Sequence, residues 1–150
     1  MNKRWTSSNK SVYNVAYHLI WCTKYRRKVL SETIQERLKS LLNQKAIDIS
    51  VDIAEMEVVP EHVYVFVKCD PTDSPHWIVQ QFKGYTANVL RKEFPELRTK
   101  LPSLWTRSYF CESIGCISER TIKKYIENQN GFFQPTYPSC KHSLHLLENL

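Results

Sequence analysis

Apolar and polar positions change their period several times along the chain, and each change predicts a new element. Residues 12–24 (VYNVAYHLIWCTK) are rich in β-branched and aromatic side chains, which predicts a buried strand. A basic turn follows, Lys24-Tyr25-Arg26-Arg27-Lys28. Ser31 is a suitable N-cap for a helix that carries Ile34, Leu38, Leu41 and Leu42 on one face. Residues 47–59 alternate well enough to predict a second strand. Pro60 and Glu61 predict a tight turn, so residues 62–68 (HVYVFVK) return as a third strand in a hairpin.

Asp73-Ser74-Pro75 opens a second helix, because a polar cap followed by proline in the first turn is a start signal. Its apolar stripe is Ile78, Phe82, Tyr85 and Val89, and Pro95 ends it. A polar connector leads to a fourth strand over residues 104–116, closed by Gly115. Ser118 caps a third helix, ERTIKKYIENQ, which Asn130-Gly131 terminates. The order β-α-β-β-α-β-α predicts an α+β, ferredoxin-like (RRM-like) fold: one antiparallel sheet with helices on one face, plus a C-terminal helix and tail. One domain is expected over residues 1–150, with a core of about 11–130 and a tail of 131–150. Many unrelated activities use this layout, so the fold does not name the function.

Composition narrows the partner. Lys and Arg number 21 against 15 acids, for a formal net charge of +6, which favours a polyanion such as nucleic acid. Five cysteines form no CxxC pair, and the polar start MNKRWTSSNK has no apolar signal core. No run of about 18 apolar residues predicts a membrane span. A reduced cytoplasmic protein is expected, nucleoid-associated in a prokaryote. Cys140, His142 and His145 suggest zinc only weakly, since a fourth ligand at finger-like spacing is missing.

Two places carry candidate chemistry. Alternation along the third strand puts His62 and Tyr64 on one face, with Val63 opposite. On the third helix Tyr125 and Gln129 lie four residues apart and share a face, while Ile122 and Ile126 supply the core contact. Tyr125 therefore stands beside the buried stripe rather than in its centre.

The segments YHLIWCTKYRRKVL, EHVYVFV, FKGYTANVL, LWTRSYF and KKYIENQ occur in this order, and the chain resembles the single-tyrosine HUH-type transposases of the insertion-sequence 200/605 group. The resemblance implies that Tyr125 is the nucleophile and Gln129 a metal ligand one helical turn later. It places the first histidine of the HUH motif on His62 and the second on Tyr64, where this sequence departs from the pattern. A phenol of pKa about 10 is a poor neutral ligand for a hard divalent ion. Glu112 on the fourth strand offers a substitute oxygen. The resemblance further implies a Mg²⁺ or Mn²⁺ cofactor, a 5′-phosphotyrosine link to single-stranded DNA bearing a hairpin, and a homodimer whose sites combine both subunits. The chain has no Walker A loop, and no nucleotide cofactor is expected.

For DNA contact the candidates are Lys24, Arg26, Arg27 and Lys28 in the basic turn, Lys83, Arg91 and Lys92 on the second helix, and Lys123 and Lys124 beside the nucleophile. Exposed aromatics such as Tyr25 are candidates to stack unpaired bases. A non-catalytic hairpin-binding relative that has lost the histidine at position 64 is the main competing reading. An RNA-binding ferredoxin-like module fits less well, because no strand resembles the glycine- and aromatic-rich RNP1.

Overall fold

The computed structural model describes residues 6–7, 12–13 and 15–113. The chain divides into two units, residues 1–113 and 114–150, and the second lies outside the described residues. The third helix predicted from ERTIKKYIENQ, with Tyr125, Gln129, Lys123 and Lys124, is therefore not described, nor is the Cys140–His142–His145 trio.

Within the first unit the predicted strand over residues 12–24 resolves into two. Strand β1 (Thr6–Ser7) pairs antiparallel with β2 (Val12–Tyr13), and β3 (Val15–Cys22) enters a separate four-stranded sheet. Helix α1 (Glu32–Asp48) buries Ile34, Leu38, Leu41, Leu42 and Ala46, a 3.6-residue period that needs one apolar stripe. It runs past residue 47, where the second strand was expected to begin. The reason is its C-terminal lock: Ser50 N–H donates to the Ile47 carbonyl (3.2 Å) and Val51 N–H to the Ala46 carbonyl (2.9 Å). That is a Schellman arrangement, with Ser50 at φ 57° where glycine is usual and Val51 buried beyond it. Ile47 is left 80% exposed.

Strand β4 (Asp52–Val59) pairs with β5 (His62–Cys69) across the Pro60–Glu61 turn, with a register shift between Ile53 and Glu55. Helix α2 (Pro75–Glu93) starts as expected: Ser74 Oγ accepts from the Trp77 N–H at 3.1 Å, and Pro75 occupies the first turn. Its buried stripe is Ile78, Val79, Phe82, Thr86 and Leu90, so Tyr85 and Val89 lie at the margin instead of the centre. A short helix, α3 (Glu96–Lys100), occupies part of the expected polar connector and buries Leu97.

The fourth strand, β6 (Phe110–Ser113), begins six residues later than expected. Leu104 and Trp105 are consecutive and both buried in the core. A strand sends neighbours to opposite faces, so this pair requires irregular backbone. Trp105 makes an isolated bridge to Thr23, and its Nε1 donates to Thr86 Oγ1 at 3.1 Å.

The sheet order is β4-β5-β3-β6 with every neighbour antiparallel. This is the expected ferredoxin-like layout of two interleaved β-α-β units. Leu19 and Trp21 from β3, and Val63, Val65 and Val67 from β5, face the helices and join Phe82, Leu38 and Leu41 in the core. Trp21 is sandwiched there, stacked on Phe82 at 6.2 Å and edge-on to Trp105 at 6.1 Å. No helix among the described residues is long and apolar enough to cross a membrane.

Candidate functional site

The face of the sheet away from the helices carries the candidate chemistry. Because Val63, Val65 and Val67 point to the core, His62, Tyr64 and Phe66 point the other way. Pairing then brings particular β3 residues beside them: Cys22 opposite His62, Ile20 opposite Tyr64 and His18 opposite Phe66. From β6, Glu112 stands opposite His18.

His62 opens β5 directly after the turn. Both its ring nitrogens are buried, and neither has a hydrogen-bond partner among the described residues. Glu61 Oε1 approaches Nδ1 only to 3.5 Å. Burying an imidazole without satisfying either nitrogen costs free energy, so such a group is rare unless something else engages it. A divalent ion is chemically suited to that lone pair.

Tyr64 behaves differently. It is buried, and its hydroxyl lies 2.8 Å from His18 Nδ1. His18 also stacks on Phe66 at 4.6 Å between ring centroids. Burial holds the His18 imidazole below its usual pKa, against the opposing pull of Glu112 and Glu55. Four positions of strand separate the Cys22–His62 pair from the His18–Phe66 pair, about 13 Å. The Tyr64 hydroxyl thus has its partner on the far side from His62. Glu112, by register, belongs with His18 too. Among the described residues, no three His, Cys, Asp or Glu side chains are grouped to hold a metal ion. The His62 nitrogens have no partner among the described residues, whereas the Tyr64 hydroxyl is hydrogen-bonded to His18. Sequence inspection missed His18, since only the strand register places it against Tyr64.

The basic turn is fastened to the start of β5. Thr23 is fully buried; its N–H donates to the Glu61 carbonyl at 2.9 Å, and its Oγ1 donates to the Arg27 carbonyl at 2.6 Å. Lys24 N–H donates to the Leu104 carbonyl (2.8 Å) and Leu30 N–H to that of Pro60 (3.1 Å). Between these anchors, residues 24–26 form a tight turn in which Tyr25 (φ 59°) and Arg26 (φ 52°) are both left-handed. Each costs roughly 1–2 kcal/mol for a residue with a Cβ atom. Arg26, Arg27 and Lys28 are exposed and Lys24 half-exposed. The turn that carries them is thus tied, through Thr23 and Glu61, to the start of β5.

Lys83 sits elsewhere in this scheme. It is half-buried, and its ammonium donates to the Thr106 carbonyl and, at 3.3 Å each, to those of Arg107 and Ser108. Burial lowers its pKa, and Cys22 acts in the opposite direction. All its donors are directed at the segment leading into β6. Of the other α2 cations, Lys92 is exposed and Arg91 half-exposed.

A four-stranded antiparallel sheet with helices on one face is shared with a solved structure, at 1.90 Å resolution, of a protein assigned as a transposase from Deinococcus radiodurans R1. The two superpose with a TM-score of 0.69 at 31% identity, covering 85% of this chain and 99% of the other. Fold and sequence together define a small DNA-processing transposase. Residues 11–129 match the transposase IS200-like family, and the chain belongs to that family. The ISDra2 transposase TnpA of Deinococcus radiodurans is 35% identical over 121 residues, which are 79% of this chain and 86% of that protein. The transposase for insertion sequence element IS200 of Salmonella typhimurium is 25% identical over 119 residues, 78% of each chain.

Proposed function

We propose that this transposase cleaves and rejoins single-stranded DNA at hairpin-bearing element ends, with Tyr125 as nucleophile. The observation that supports it most is His62, a half-buried imidazole whose two ring nitrogens are buried and unsatisfied among the described residues, next to the anchor of an exposed basic turn. The Tyr125 phenol oxygen forms a bond to the scissile phosphorus as the bond to the 3′ oxygen breaks. The phenol loses its proton and the departing 3′ oxygen gains one, leaving a 5′-phosphotyrosine and a free 3′ hydroxyl. Attack by a 3′ hydroxyl reverses the step, so rejoining needs no ATP. Only about one phenol in a thousand is ionised at neutral pH, so the phosphate must be made a better electrophile. His62 and Gln129 are the residues that would hold Mg²⁺ or Mn²⁺, which supplies that polarisation when bound. Tyr64 is left out of this ligand set, because His18 engages its hydroxyl. Lys24, Arg26, Arg27 and Lys28 hold the DNA backbone, joined by Lys123 and Lys124, and two copies form the working dimer.

The test is Tyr125→Phe, which removes only the hydroxyl. Incubated with Mn²⁺ and a DNA hairpin bearing a single-stranded tail, wild type should form a covalent adduct resolved by denaturing gel. The variant should bind the hairpin equally and form none. A second reading, a hairpin-binding relative without catalysis, is favoured by one observation: tyrosine replaces the second motif histidine and is engaged elsewhere. Wild-type protein that binds hairpins and forms no adduct at any Mn²⁺ concentration would establish that reading instead.

A further inference from the structure

The turn over residues 24–26 is built in a way that a simple connector does not need. Two consecutive residues with bulky side chains, Tyr25 and Arg26, hold positive φ. Glycine or asparagine at either position would relieve the strain, yet the chain places an aromatic ring and a guanidinium there. The strain persists because both flanks are bolted down, through Thr23 to Glu61 and Arg27, and through Lys24 to Leu104. The Tyr25 ring on this turn is 65% exposed. Few large hydrophobic side chains of the described residues are this exposed. Lys24 Nζ lies 5.3 Å and Arg27 Cζ 5.8 Å from the ring centroid. Both cations lie over the exposed ring, which offers an unpaired base a face to stack on while a cation displaced from it meets a neighbouring phosphate.

The position of the ring matters as much as its chemistry. Cys22 is the β3 partner of His62, and Tyr25 follows it by three residues. Adding the cross-strand spacing, Tyr25 and His62 backbones are within about 16 Å. We propose that Tyr25 is a stacking site for one unpaired nucleobase, within a few nucleotides of the phosphate that is cut. The ring fixes the lateral position of the strand, and the cations beside it hold the backbone. The location relative to the cut rests on the function proposed above; the stacking itself does not.

The variants separate stacking from charge and from folding. Tyr25→Asn removes the ring while keeping a residue that tolerates positive φ. Tyr25→Phe keeps the ring. The substrate is a DNA hairpin with an oligothymidine tail carrying 2-aminopurine at successive positions. Wild type should quench 2-aminopurine at one tail position; Tyr25→Phe should keep that quenching and Tyr25→Asn should lose it. Tyr25→Asn should also bind roughly 5- to 150-fold more weakly, the range that one lost base stack produces. Its salt dependence should equal that of wild type, whereas Arg26→Ala with Arg27→Ala should flatten it. An abasic nucleotide at the quenched position should weaken wild-type binding by the same factor, a result that needs no variant to fold. Equal affinity and unchanged quenching in Tyr25→Asn would overturn the site, as would equal losses in Tyr25→Phe and Tyr25→Asn. Wild-type protein that cleaves DNA while Tyr25→Asn binds normally removes only this inference. A wild type that binds no single-stranded DNA removes both this inference and the proposed function.

Discussion

Tyr64 and His62 are two residues apart on one strand face, yet their hydrogen-bonding surroundings differ. The two ring nitrogens of His62 are buried without a partner among the described residues, and the Tyr64 hydroxyl is hydrogen-bonded to His18. A residue that has a good internal partner has less to gain from a metal ion, and a phenol has little affinity for one in its neutral form. Tyr64→Phe should therefore lower stability by about 1 kcal/mol, the usual net worth of one hydrogen bond, as read by urea denaturation. The Mn²⁺ concentration giving half-maximal cleavage should stay as in wild type. A large rise in that concentration would return Tyr64 to the ligand set. The same face-sharing that made His62 and Tyr64 legible as a pair in sequence concealed their difference, because alternation fixes direction and says nothing of the neighbour across the sheet.

At the scale of elements, the segment between α3 and β6 shows how a charged residue can be structural. Residues 106–108 offer three carbonyls, and Lys83 reaches them from one helix away. Trp105, just before them, is held by Thr86 from the same helix. Helix α2 thus secures the approach to β6, the edge strand that carries Glu112 beside His18. Lys83→Met keeps most of the side-chain length and removes the ammonium. Stability should fall by about 1–2 kcal/mol, and amide exchange over residues 104–113 should accelerate. The slope of DNA affinity against salt should not change, since this ammonium already has partners inside the protein. A shallower slope would show that Lys83 contacts phosphate after all. In sequence, Lys83 looked no different from Lys92: both are cations on a helix, and burial alone separates them.

For the whole molecule, the core is built around one face of the sheet, with Trp21 between Phe82 and Trp105. That arrangement puts His62 on the other face of the sheet, away from the helices. Light scattering at micromolar concentration should give about twice the 17.8 kDa of one chain if the working form is a dimer. A monomer that still forms the covalent adduct would show that each subunit carries a complete site.

The order of the four sheet strands and the two long helices was legible from sequence because amphipathic periods and caps are local. Ser74-Pro75 opens α2, and the alternating valines of β5 orient His62, whatever lies elsewhere in the chain. Family membership was legible for a similar reason, since its motifs are short runs in a set order. Tertiary structure alone decided what depends on pairing between distant segments. His18 meets Tyr64 across 46 residues, Lys83 turns inward to carbonyls 23 to 25 residues away, and Leu104-Trp105 leave the strand pattern because both are needed in the core. Each of these is set by register and by burial, which are properties of the packed sheet and helices and of no single stretch of chain.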